Sequence, residues 1–152
     1  MTTTQLRSDT EIDQIMSQTD GVLGAAGHAL TDPVARDIIR RNLNGELSDA
    51  ETTALLNQRS DNSTPLMPPR PRTWDDYFIP GTDTLRNLLG KTTRRSLERT
   101  ENMHTARRIG QLIANPISGA FDYEHMKSIH RYIFQDVYEW AGEERTTPQT
   151  AQ

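Results

Sequence analysis

Four histidines, His28, His104, His125 and His130, are the side chains of this chain best suited to moving a proton near neutral pH. His125 and His130 are five residues apart, about 140° around a helix, so they are poor joint ligands for a metal ion. His130 reads instead as a partly buried group that hydrogen-bonds a neighbouring helix or the turn at Trp140. There is no cysteine, which excludes disulfides and thiolate metal sites. Arg94, Arg95, Arg99, Arg107 and Arg108 have the spacing of a basic stripe for nucleic acid. Glu98 and Glu101 among them, with a pI near 5.5, point to ordinary pairing on a helix surface instead. Tyr123, Tyr132, Phe134, Tyr138 and Trp140 read as core, not as a platform for stacking bases. The residues by themselves therefore nominate no catalytic group, no metal site and no nucleic-acid surface.

The elements that position these residues are helical. Asp32-Pro33 opens a helix, with Asp32 as N-cap and Pro33 where its missing N–H costs nothing; Val34, Ile38 and Ile39 follow, and Asn44-Gly45 stops it. Ser48-Asp49-Ala50-Glu51 is a capping box before Ala54, Leu55 and Leu56. Ile12, Ile15 and Met16 mark an earlier amphipathic turn or two, weakened downstream by Gly21, Gly24 and Gly27. Leu85, Leu88 and Leu89 suggest a short helix ended by Gly90, and a long helix runs from about Thr93 to Ala114, stopped by Asn115-Pro116. Asp122 caps the last, whose face carries Met126, Ile129, Ile133, Phe134 and Val137. Nothing alternates with period two, so the fold class is all-α.

Three segments separate: a small helical segment over 1–58, a proline-rich linker over 59–72, and a helical segment over 73–152. The first holds four arginines against nine acidic residues; the other two together hold thirteen Lys/Arg against twelve. Neither an apolar signal core nor a membrane-length apolar run is present, so the expectation is a cytoplasmic protein with no membrane partner.

The stretch Phe121-Asp122, Ile129-His130-Arg131-Tyr132-Ile133-Phe134-Gln135-Asp136-Val137-Tyr138, Trp140-Ala141-Gly142-Glu143 and Arg145 resembles the Fic domain, the fold of enzymes that move AMP from ATP onto protein hydroxyls. Tyr77-Phe78-Ile79-Pro80-Gly81-Thr82-Asp83 and Ile117-Ser118-Gly119-Ala120 are similar to the family's entry segment and to the turn before its conserved helix. The resemblance implies the N-terminal portion of a Fic fold over 73–152. The family's chemistry uses a loop His-Pro-Phe-x-(Asp/Glu)-Gly-Asn-Gly-Arg: the histidine as base, the acid on a magnesium ion, the glycine-rich backbone on the phosphates. Here the histidines precede Ala29, Thr105, Met126 and Arg131, and Gly-Asn occurs nowhere. The expectation is a truncated, inactive chain with no catalytic, cofactor-binding or metal residue, ATP and Mg2+ being implied only for a complete domain.

Asp32-Pro33-Val34 and Asn44-Gly45-Glu46-Leu47 resemble, at matching separation, the small VbhA-type antitoxins that silence such enzymes. In those a helix carries Ser/Thr, three residues, Glu and then Gly/Asn, and the glutamate blocks productive ATP binding. Ser17, Asp20 and Gly21 are the inhibitory-helix candidates; an ungapped register would instead place Leu23, Gly27 and His28 there. Three readings stand open: an enzyme piece with a fused inhibitory segment, completed by the rest of the domain; a regulatory module that binds an intact Fic protein in trans; or a helical remnant. In each, the helix bearing Ile129, Ile133 and Val137 should leave an apolar face uncovered, so residues 73–152 alone should be loosely packed or self-associate.

Overall fold

The structure, a computed structural model, describes residues 7–59 and 77–143. The expected linker beyond Arg59, residues 74–76 and Arg145 lie outside the described residues. Five helices follow one another: α1 (Asp9–Ala25), α2 (Pro33–Leu43), α3 (Asp49–Gln58), α4 (Arg94–Ala114) and α5 (Tyr123–Phe134). Among the described residues there is no strand, only an isolated antiparallel bridge between Phe78 and Leu85, and the chain is all-α.

The helix ends follow local chemistry. Ser8 with Glu11 and Ser48 with Glu51 form capping boxes before α1 and α3. Asp32 accepts from the Val34 N–H before Pro33 opens α2, Thr93 caps α4, and Asp122 accepts from the His125 N–H at α5. α1 continues through Gly21 and Gly24 rather than weakening there. Leu23 and Thr19 are buried on the same side as Ile12, Ile15 and Met16, and burying one leucine (about 1.5–3 kcal/mol) offsets roughly 1 kcal/mol of propensity per glycine.

α4 is the axis, and each of the other four helices packs on it. The main core takes Ile12, Ile15, Leu23, Ile38, Ile39 and Leu56, among others, from the first segment and Met103, Ala106 and Ile109 from α4. A second, smaller cluster joins Leu89, Leu97 and Val137. Val137 is not part of the amphipathic helix, which ends at Phe134; its carbonyl accepts from the Leu88 N–H, and its side chain is sealed in this second cluster. The short helix expected over Leu85, Leu88 and Leu89 is absent as well. Asn87, buried, takes the backbone groups such a helix would pair: its amide donates to the carbonyls of Leu85 and Lys91, and its Oδ1 accepts from the Leu89 and Lys91 N–H groups. Asn87→Ala leaves those four groups without their partner and should lower unfolding free energy by about 2–3 kcal/mol in a urea titration.

His104, on α4, is fully buried, and its Nε2 lies 2.9 Å from Asn57 Oδ1 of α3. Burial holds its pKa down at about 4; the pull of Asp136 is outweighed, with Arg107, Arg108 and Lys91 adding to the depression. The unfolded chain, with the ordinary value of 6.5, binds that proton more readily than the folded one. Stability from this residue is thus complete above pH 6.5 and is lost as pH falls from 6.5 to 4, by about 3 kcal/mol. Denaturant midpoints should slope downward across that window in the wild type and flatten in His104→Gln.

Candidate functional site

Three features flank α4, and the most enclosed is a cluster of charges. Arg107 has no exposed surface. Its Nη2 donates to Thr53 Oγ1 at 2.7 Å, its Nη1 to the Asp49 carbonyl at 3.4 Å, and Nη2 lies 3.2 Å from Asp136 Oδ2. Arg108 grips Asp136 with a two-pronged fork, Nε to Oδ2 at 2.8 Å and Nη2 to Oδ1 at 3.0 Å, while its Nη1 reaches Gln111 and Asp49. The Tyr132 hydroxyl donates to Gln111 Oε1 at 2.6 Å, and its ring lies 5.4 Å from the Arg108 guanidinium. Burial pushes the Asp136 carboxyl up, but the hydrogen bonds of Arg108 and the two guanidinium charges outweigh it and hold it below the ordinary carboxylate range. Burial lowers Arg107, whereas for Arg108 the bonds to Asp136 overcome burial and raise it. Arg107 and Arg108 are therefore not members of a surface stripe. Asp49 and Asp136, which the spacing of charges on one helix could not nominate, are their partners.

The second feature is the outer rim of α1. Ser17, Asp20 and Gly21 are all exposed there. The Arg36 guanidinium of α2 forks onto Asp20, both oxygens at 2.8 Å, and that bonding keeps the Asp20 carboxyl below its ordinary range. In the ungapped register Leu23 lies in the main core, while Gly27 stands past the helix end with φ +81° and His28 is half-buried 3.7 Å from Glu98. Of the two registers, only Ser17-Asp20-Gly21 puts its residues on an open surface.

The third is an apolar groove of about 500 Å³ between α1, α4 and α5, lined by Val22, Ile113, Ile117, Ile129 and Ile133 and flanked by Phe121. No residue of α5 is buried. Phe121 is 93 % exposed, the most open of the large apolar side chains among the described residues, and holds φ +58°, which a phenylalanine adopts at a cost of about 1–3 kcal/mol. His125 holds it there. The Phe121 N–H donates to His125 Nδ1, His125 Nε2 meets the Ile117 carbonyl at 2.8 Å, and a Cβ on Gly119 would strike the imidazole. His130 has a different duty: its Nδ1 accepts from the Gly142 N–H at 2.9 Å, the second of the two bonds expected for it, although the residue is exposed rather than partly buried. Gly142 has φ +77° and lies too close to Arg131 and the Lys127 carbonyl to admit a side chain. The two α5 histidines are thus spent on separate loops. Among the described residues no three His, Asp or Glu converge as a metal would need, and no helix is long and apolar enough to cross a membrane.

No family model matches the chain. Among curated proteins, 71 residues, 47 % of the chain, are 46 % identical to the protein adenylyltransferase VbhT of Bartonella schoenbuchensis, covering 15 % of that protein. A stretch of the same length is 35 % identical to the probable protein adenylyltransferase y4lH of Sinorhizobium fredii, covering 35 % of it. Another is 34 % identical to the probable protein adenylyltransferase Fic of Escherichia coli, also over 34 % of its length. The chain thus spans about a third or less of the curated relatives it matches. Just under half of this chain is related to protein adenylyltransferases of the Fic kind.

Proposed function

We propose that this chain supplies the opening helices of a Fic-type protein adenylyltransferase, with an antitoxin-like helical segment fused ahead of them. AMP transfer then requires a further segment that carries the His-Pro-Phe loop and docks in the groove between α1, α4 and α5. The observation that carries the reading is the 71-residue relation at up to 46 % identity to proteins named for that activity. The open groove supports it, since α5 shows an apolar face that the other described residues leave partly uncovered. In that assembly the bound ATP and magnesium would belong to the docked segment, which carries the His-Pro-Phe loop. Cytosolic residence, where ATP is at hand, fits the same reading.

Val22 of α1 lines the groove, whereas Asp20, two residues earlier and about 160° away around the helix, is turned to Arg36 of α2. An inhibitory role for Asp20 would require it to exchange Arg36 for an arginine of the docked segment. Most apolar residues of α1, α2 and α3 are already used in the core they share with α4, Val22 and Val34 excepted, which favours action on the chain's own domain over capture of a separate Fic protein.

The test is co-expression with a Fic protein deprived of the region that matches this chain, followed by incubation with α-labelled ATP and Mg2+. The chain alone should transfer no label; the pair should co-purify and label protein. Ile129→Asp should abolish co-purification while leaving the circular dichroism of this chain unchanged, because Ile129 is only partly buried. Label transfer by the chain alone would overturn the proposal.

A further inference from the structure

The arginines spaced along α4 do not share out its acids as neighbours on a helix surface would. Arg107 and Arg108 are spent inside on Asp136 and Asp49, and Arg94 lies 3.7 Å from Asp83 in the loop before the helix. Glu98 stands 3.7 Å from His28 Nδ1, and Glu101 accepts from the Tyr138 hydroxyl at 2.7 Å. Arg95 and Arg99 are left over. Both are exposed, and neither has a hydrogen bond or an ion pair with any described residue.

Four residues apart, these two stand one turn apart on the same face of α4, with about 5–6 Å between their Cβ atoms. That face lines an open pocket of about 490 Å³, whose other wall is the loop joining α1 to α2 and the first residue of α2. Leu30 and Met103, both buried, and Pro33 give the pocket an apolar lining as well. Its other charges are already engaged. Arg59 forks onto Asp32, Nε to Oδ2 at 3.0 Å and Nη2 to Oδ1 at 3.1 Å, and Asp32 also accepts from the Val34 N–H. Glu98, the second carboxylate of the lining, has His28 beside it.

We propose that this pocket binds a phosphate monoester with a ring-sized apolar body, the phosphate on Arg95 and Arg99 and the body against Leu30, Pro33 and Met103. Two guanidinium forks on one face call for a compact group with two charges and three oxygens, which a phosphate ester has and a single carboxylate lacks. The volume and the mixed lining are those of a small-molecule site. Nucleic acid fits less well, because its backbone needs a run of cations along a surface and the α4 series is cut short where Arg107 and Arg108 turn inward. The chain carries a net charge of −4, so an anion gathered here is gathered by these two side chains and not by the overall field. The pocket shares no lining residue with the apolar groove, so its ligand touches α4 and the α1–α2 loop without entering that groove.

Isothermal titration calorimetry of the full chain at two temperatures, in about 150 mM NaCl and with phenyl phosphate as the probe, tests this. Phenyl phosphate should bind at one site with a Kd of about 0.1 mM, and inorganic phosphate about 5-fold more weakly for want of the ring. Arg95→Met and Arg99→Met should each weaken binding about 10-fold and, both positions being exposed, leave the circular dichroism spectrum as it is. Glu98→Gln should tighten binding about 3-fold by removing an opposing charge. No heat of binding at either temperature up to about 10 mM phenyl phosphate would overturn the proposal. So would unchanged affinity in both arginine variants, which puts the anion elsewhere on the surface, or weaker binding in Glu98→Gln, which puts it away from that carboxylate. Succinate bound as tightly as phenyl phosphate would overturn the phosphate assignment in favour of a dicarboxylate.

Discussion

A guanidinium without exposed surface is tolerated only when acceptors surround it, and in this chain those acceptors come from three places far apart in sequence. Asp49 and Thr53 stand on α3, Asp136 follows α5, and Arg107 itself is in the middle of α4. Each of those elements is thereby fixed relative to the others. The apolar core can slide by fractions of a turn at small cost, whereas a buried charge with directional partners cannot. The network sets the register in which α3 and the end of α5 meet the axis, and with it the width of the groove on the far side.

The groove has a second boundary condition. α5 is amphipathic and well capped, so it forms without burying any residue fully. Besides its packing on α4 through Ile133 and the Tyr132–Gln111 bond, its position depends on contacts at its two ends, the His125 clasp on the loop before it and the His130 bond to the turn after it. Two histidines that chemistry would first nominate as catalytic are thus what holds the helix in place. The consequence is a helix that packs on α4 through Ile133 while Ile129 still lines the open groove.

Much of this was legible in the residues. Each of the five helix starts among the described residues has a side chain that announces it, Ser8, Asp32, Ser48, Thr93 and Asp122, and the stops at Gly45 and Pro116 are equally local. The opening of α1 was missed at Ser8, although its capping box has the same Ser-x-x-Glu spacing as that at Ser48. What local signals could not give was tertiary. Leu85, Leu88 and Leu89 have helical spacing, but Asn87 between them satisfies four backbone groups only because the chain turns back there. Val137 continues the α5 pattern by one period and yet belongs to another cluster. Arg107 and Arg108 look like any surface pair until Asp136 is brought against them from 28 residues away. The candidate Asp20 was readable as an acid before a glycine; that Arg36 already holds it was not.

The left-handed Phe121 carries a consequence for how this protein responds to selection. A glycine or asparagine would occupy φ +58° with less strain and would remove an aromatic ring from water, so the isolated chain gains by losing its phenylalanine. Selection for solubility or thermal tolerance on this chain by itself would therefore drift away from phenylalanine at that position. Retention of phenylalanine there in a population that has been under such selection would be a record that something outside these residues has been reading the ring.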